Sequence, residues 1–435
     1  MKAAERTFPQ VHFSDERLDN GLRLVMSEDH LVPVTAVNIW YDVGSRNEVP
    51  GRTGLAHLFE HMMFQGSANA AKGEHFGLIE KMGGSLNATT SLHRTNYFEW
   101  TPAHNLELLL WLEADRMGGL LEALGQETLD NQRDVVKNEK RQSVDNQPYG
   151  RWIEHMLAAV FPQGHPYHHT TIGSMDDLSA ASLEDVRSFF RTYYAPNNAV
   201  LSIVGDFDPT QGRAWVESYF GGIPSNADIP APPDLSCALG LGTHREVVPD
   251  RVPLTRIYLG FRAPPADTRQ ADVVQMAAAV LAGSEGGVSK GSRVFKRLVR
   301  ERRLAQDVTF GFWELHGVSL CYGWLTARPD VALEDVEAGF YEVLESLALE
   351  PPTDDEMERA RAGVERAILE EHFSRAAGKA DRLSECATVY GEPARMNQTL
   401  PRLLDISAEE ISRAAAEVLN ADNRATIVFV PEEAA

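Results

Sequence analysis

One pattern recurs in this chain and frames any fold it can adopt. The run VPVTAVNIWYDVG, from Val32 to Gly44, has a counterpart in VPLTRIYLGFRAP, from Val252 to Pro264. Both are β-rich, and each is followed by a helical stretch, a Gly-rich break and another strand-like run. Between them lies PSNADIPAPPDLSCALGLG, from Pro224 to Gly242, whose four prolines and few charges read as an interdomain linker. The sequence therefore predicts an internal duplication, with an N-terminal domain at 1–223, a linker at 224–243 and a second domain of like fold at 244–435. A chain of 435 residues has room for two such domains, each with its own core.

Local signals place the elements. Asn20-Gly21 sits between short alternating runs and predicts a hairpin. Thr53 is positioned to cap a helix carrying Leu55, Leu58, Phe59, Met62 and Met63 at helical spacing, and Gly66 ends it. A second helix near 72–82 stops at Gly83-Gly84, and Ser85 to Pro102 then reads as extended chain. Leucine-rich helices follow at 105–124 and 127–143, and another runs from 182 to 194 before Pro196.

Charge and composition exclude several classes. Lys plus Arg number 41 against 63 Asp plus Glu, a net charge of −22 that repels phosphate backbones and excludes nucleic acid as a partner. No run of about 18 apolar residues is present, so no membrane-spanning helix is expected. Cys237, Cys321 and Cys386 form no CxxC pair and read as small apolar residues. No apolar signal segment follows Met1, which points to the cytoplasm, or to the periplasm if a leader was removed.

The sharpest chemical signal is HLFEH, with His57, Glu60 and His61 on the first predicted helix. Residues four apart share a helix face, so both imidazoles can bind one Zn²⁺ at about 2.0–2.1 Å. Glu60 then lies beside the metal, where it can take a proton from a water held there. The H-x-x-E-H order is the inverzincin arrangement. The same pentapeptide also fits a helix with two solvated or core-edge histidines. A catalytic zinc needs a third protein ligand, and the helix at 127–143 offers Glu139, with Val135 and Val136 turning one side inward. Taken alone, that glutamate reads as a solvated surface charge rather than as a ligand.

Five segments occur in order: GRTGLAHLFEHMMFQGS, GGSLNATTSLHRTNYFEW, NQRDVVKNEKRQ, HPYHHTTIGS and YYAPNNAVLSIVGDFD. Together they resemble the pitrilysin-type zinc metallopeptidases, the family of insulin-degrading enzyme and mitochondrial processing peptidase. The resemblance implies an α+β fold of two homologous domains, each a mostly antiparallel sheet with helices on one face. It implies one Zn²⁺ per chain on His57, His61 and Glu139, with Glu60 as catalytic base. The family's supporting carboxylate, seven residues before the third ligand, falls here on Gln132, which carries no charge. Peptides bind the family as an added edge strand, which maps to Ser85–Tyr97, with Asn87 and Ala88 nearest the metal.

The second half departs from the family. Its Arg and Tyr, which steady the substrate carbonyl and oxyanion, align here with Val299 and Gln306. Arg297, Arg300 and Arg302 stand nearby but point in other directions on a helix. The pattern thus resembles the metal-carrying subunit of the two-subunit bacterial members. The resemblance implies a zinc endopeptidase subunit for unfolded peptides, with a homologous partner supplying the Arg/Tyr pair and closing a chamber as a heterodimer. A self-sufficient homodimeric peptidase and a non-catalytic core or assembly subunit of the same fold are the alternatives. The Gly-rich stretch Ala282 to Ser292 lacks the Gly-Lys-Ser/Thr ending of a phosphate loop and reads as a substrate-contacting loop or a plain turn.

Overall fold

The structure, a computed structural model, describes residues 7–283 and 289–432. Much of the Gly-rich stretch 282–292 therefore lies outside the described residues.

The chain forms two compact units. Unit 1 gathers the chain up to Lys140, His169–Pro233 and Glu370–Gln398; unit 2 gathers Arg141–His168, Asp234–Leu369 and the chain from Thr399 onward.

Unit 1 is built on β1 (Ser14–Arg17), β2 (Arg23–Glu28), β3 (Val34–Tyr41), β4 (Ser85–Thr90), β5 (Thr95–Pro102) and β6 (Ala199–Gly205). Their order across the sheet is β1-β2-β6-β3-β5-β4. Only β2 and β6 run parallel; the other neighbours are antiparallel. Gly21 makes the predicted turn between β1 and β2 at φ +90°, where a Cβ would also stand 2.6 Å from Asn197 Cβ. On one face lie α1 (Leu55–Met62), α2 (Glu74–Lys81), α3 (Leu106–Ala123) and α4 (Gln126–Lys140). Val37, Ile39 and Tyr41 of β3 join Leu58, Phe59, Leu109 and Leu110 in this core. Burying each such Leu or Phe stabilises the unit by about 1.5–3 kcal/mol. The alternate residue Ala36, with Val200 and Val204 of β6, faces the other way and packs on Ala380, Leu383 and Cys386 of the helix Ala376–Val389.

Unit 2 is built on β7 (Gly242–Asp250), β8 (Arg256–Ala263), β9 (Ala305–Trp313), β10 (Ser319–Ala327) and β11 (Asn423–Pro431), in the order β7-β11-β8-β10-β9. Here β7 and β11 are the parallel pair. Position for position, this repeats β2-β6-β3-β5-β4, including the one parallel pairing. The helix α5 (Trp152–Val160) packs on β8 and β11 just as the helix Ala376–Val389 packs on β3 and β6.

This exchange explains why the units differ from the consecutive segments 1–223 and 244–435. Each central strand is buried on both faces, so each sheet needs a covering helix on its second face. That helix comes from a segment whose neighbours in sequence belong to the other unit. Residues 224–241 carry no helix or strand. All three cysteines are free, with Cys321 and Cys386 buried. Among the described residues no helix is long and apolar enough to cross a membrane.

Candidate metal centre

The centre belongs to unit 1 and starts from α1. This helix is only eight residues long, and its apolar residues Leu55, Ala56, Leu58, Phe59 and Met62 are buried. His57, Glu60 and His61 occupy the remaining face and are half-buried, as their spacing predicts. The two imidazoles stand edge to face with centroids 4.9 Å apart.

The start of α1 differs from the sequence expectation. Gly54, at φ +85°, is the capping residue, and a Cβ there would lie 2.6 Å from the Ile172 carbonyl oxygen. Thr53 instead donates its amide and hydroxyl to Asp177, at 2.9 and 2.5 Å. The open amides at the helix start are met by Glu48, which accepts from Gly54 N at 2.9 Å and Ala56 N at 2.7 Å. Its carboxylate also pairs with His169 Nε2 at 2.9 Å. Burial pushes the Glu48 carboxyl up, while His169 and the two amides oppose that push. Nothing in the spacing around Glu48 or His169 marks them as the brace of this helix.

Glu139 arrives from α4, in the last turn before the π-helical turn Arg141–Asp145. The helix predicted as continuous to Ser143 thus changes its winding just after this residue. Val136 is buried, whereas Val135 is 42% exposed, so one valine rather than two anchors α4. Glu139 Oε1 lies 3.7 Å from His57 Nε2, and its Oε2 lies 3.3 Å from His61 Nε2. Two donors on one Zn²⁺ at 2.0–2.1 Å and a tetrahedral angle are about 3.3–3.4 Å apart, so this donor set fits one ion. The charge states of His57 and Glu139 fit as well. Burial pushes the His57 imidazole down to about 4, and the contact with His61 holds the Glu139 carboxyl below its ordinary range. Neutral imidazoles and an ionised carboxylate are the forms a metal cation binds. His57 Nδ1 is buried without a hydrogen-bond partner, so the helix and its packing orient that ring.

Glu60 lies beside this group rather than in it. Its Oε2 accepts a hydrogen bond from Thr90 Oγ1 at 2.6 Å, and burial pushes its carboxyl up against that bond. Thr90 ends β4, the edge strand, which pairs within the sheet with β5 alone. Asn87 and Ala88 lie on the same strand, Asn87 exposed and Ala88 buried. Thr90, like Glu48, carries no sequence signal that singles it out. Gln132 is buried on α4 and donates its amide to the neighbouring Asn131 at 3.3 Å.

In unit 2, Val299 is half-buried in a π-helical segment, Phe295–Glu301, and Gln306 is exposed on β9. The neighbouring arginines have local partners. Arg297 pairs with Glu350 and Ser346, Arg302 pairs with Glu342 at 2.7 Å, and Arg300 lies over the Phe295 ring.

A second set of donors in unit 1, His75, Glu99 and Glu113, also lies close together, fully buried. Arg116 donates to both oxygens of Glu113 there, so a guanidinium already supplies the positive charge. Burial pushes Glu99 up to about 7 and Glu113 up to about 8.

Known proteins match the chain along most of its length. Residues 23–174 match the family described as Insulinase (Peptidase family M16), and residues 180–364 match that described as Peptidase M16 inactive domain. The zinc protease PqqE of Helicobacter pylori is 29% identical over 424 residues, covering 95% of this chain and 91% of that protein. The probable mitochondrial-processing peptidase subunit beta of Arabidopsis thaliana is 24% identical over 411 residues, covering 92% of this chain and 74% of that protein. A solved structure of a protease from Helicobacter pylori superposes with a TM-score of 0.89 at 27% identity, over 97% of this chain and 100% of the other.

Proposed function

The chain belongs to peptidase family M16, and from that premise we propose that it is the metal-carrying subunit of a zinc endopeptidase that hydrolyses unfolded peptides. The observation that carries this reading is the convergence of His57, His61 and Glu139, with the Glu60 carboxylate beside them. In this reading the first three residues hold one Zn²⁺. When bound, the ion supplies Lewis-acid polarisation of the scissile carbonyl and makes the attacking water more acidic. Glu60 accepts the proton of that water and later delivers it to the leaving amine. An extended peptide adds to the free edge of β4, past Asn87 and Ala88, through main-chain hydrogen bonds that any sequence can make. This strand addition selects unfolded peptides, because a folded protein has few free strands to donate.

The oxyanion is the part of the transition state for which this chain is ill equipped. Val299 has no donor, and Gln306 is a weaker one than a phenol. Arg297 and Arg302 are held by Glu350 and Glu342. We infer that a homologous subunit supplies an Arg/Tyr pair and closes a chamber around the peptide. One missing oxyanion donor costs about 10²- to 10³-fold, so the lone chain should bind zinc and turn over slowly. Zinc content and peptide hydrolysis of the purified chain, measured alone and with such a sister subunit, test this directly. Stoichiometric zinc, with hydrolysis that rises at least about 10²-fold on mixing, is the expected result. A lone chain with turnover of roughly 1–10³ s⁻¹ would replace the heterodimer by a self-sufficient peptidase. A chain without zinc would replace the enzyme by an assembly protein.

A further inference from the structure

Thr90 is the point at which the edge strand touches Glu60, and its hydroxyl is held firmly. It sits at the last pair of the β4–β5 ladder, opposite Thr95. The hairpin behind it is closed by Ser91 N donating to the Arg94 carbonyl at 2.8 Å, and by Arg94 Nη1 donating to the Thr89 carbonyl at 2.8 Å. The Arg94 guanidinium lies 4.9 Å over the Trp40 ring, which fixes the hairpin to β3. A β-branched residue in a strand has few χ1 choices, so the backbone sets where the Thr90 hydroxyl points. Glu60 is the opposite case. Its carboxylate ends a side chain with three torsions, and an unanchored carboxylate there would spread over several rotamers. The bond from Thr90 Oγ1 to Oε2, at 2.6 Å, fixes one oxygen and leaves Oε1 to meet the reacting proton.

We propose that Thr90 is a positioning residue that holds the Glu60 carboxylate in its working orientation. The inference rests on the peptidase reading, in which Glu60 is the general base. Its test compares wild type, Thr90→Val and Thr90→Ser. Valine keeps the branched shape and removes the hydroxyl, and serine restores the hydroxyl. All three should hold the same zinc stoichiometry and melt within a few degrees of one another. Crystal structures of the zinc-loaded proteins should show the Glu60 carboxylate displaced in Thr90→Val and restored in Thr90→Ser. In peptide hydrolysis, Thr90→Val should lower kcat about 10- to 10²-fold, the worth of one hydrogen bond to a charged group. KM should stay within about threefold, and Thr90→Ser should recover most of kcat.

An unmoved Glu60 in Thr90→Val would overturn the proposal, as would a serine variant as slow as the valine one. A rise in KM alone would do the same, by making the hydroxyl part of peptide docking. Zinc loss confined to Thr90→Val would make it a structural brace instead. Failure of the peptidase reading would show in wild type itself, as absent zinc. The contact between Thr90 and Glu60 would then still be decided by the crystal structures.

Discussion

The two units share a strand order but diverge at the helix that follows their equivalent central strands, β3 and β8. In unit 1 this helix is α1, eight residues long, started by a left-handed Gly54 and braced by Glu48. In unit 2 it is the helix Arg269–Ala282, which runs 14 residues, starts at an ordinary Thr268 side-chain cap and buries every residue from Met276 to Ala282. Its buried acid, Asp272, is paired with Arg402 at 2.9 Å. A helix sunk this deeply into a core has no free face for polar donors. A short one, buried on one side only, can keep His57, Glu60 and His61 open to solvent and to a ligand. The edge strands differ likewise, since β4 brings Thr90 to Glu60 whereas Gln306 on β9 is exposed. The strand order occurs twice, and the proposed chemistry resides in the shorter helix and the edge strand of one copy.

The largest effect that could break this contrast is on catalysis. Glu60→Gln should keep zinc and lower hydrolysis about 10²- to 10⁴-fold, whereas Asp272→Asn in unit 2 should leave turnover within about threefold. Peptide assays paired with zinc analysis decide it, and loss of zinc from Glu60→Gln would mean that base and ligand roles are misassigned. Next in size is the third proposed ligand. Glu139→Ala leaves two imidazoles, so zinc affinity should fall at least about 10²-fold while the circular dichroism of the chain is unchanged. Normal zinc content would move the search to another carboxylate on α4, beginning with Asp134.

A smaller effect tests why the helix of unit 1 can be so short. Glu48→Ala removes the acceptor for Gly54 N and Ala56 N and the partner of His169. Leaving these buried donors unmet should cost about 2 kcal/mol of stability and weaken zinc binding with it. Hydrogen exchange at the start of α1 is the direct readout. Unchanged protection there would show that packing of Leu58 and Phe59 suffices to hold the helix.

What could be read from the sequence follows from the range over which each signal acts. The Asn20-Gly21 turn, the apolar stripe of α1 and the repeated β3 and β8 segments are local, and each appears where its pattern predicts. So do the positions of His57 and His61, because helical spacing alone brings them to one face. Contacts between distant segments left no such trace. Thr53 looks like a cap until Asp177 claims its hydroxyl, and Glu48 looks like any acidic loop residue until α1 folds over it. The helices Trp152–Val160 and Ala376–Val389 each bury one side, but nothing local states which sheet each one covers. Glu139 stands between these cases. Its neighbourhood needed the family resemblance to single it out, and the structure brings it to His57 and His61.

The smallest effect sharpens the comparison from the side of unit 2, where a half-buried carboxylate serves structure rather than the proposed chemistry. Glu356 accepts from Arg293 Nε at 2.9 Å and Nη2 at 2.7 Å, and from the Thr353 amide at 3.0 Å, closing a capping box on the helix Asp354–Ile368. Burial pushes this carboxyl up, but Arg293 and the Thr353 amide outweigh it and hold it down at about 2. A carboxyl whose pKa is lower in the folded chain than the ordinary value near 4.5 stabilises the fold fully above that value. The contribution is lost as pH falls from about 4.5 towards 2. Glu356→Gln should therefore destabilise unit 2 by about 1 kcal/mol at pH 7, a figure already reduced for partial solvent screening. The gap between variant and wild type should narrow steadily once the pH drops below about 4.5. Hydrogen exchange along Asp354–Ile368, followed at pH 7 and near pH 3.5, reads both quantities in the same helix. A gap that stays constant with pH would show that the capping hydrogen bonds, rather than the charge held by Arg293, account for what Glu356 contributes.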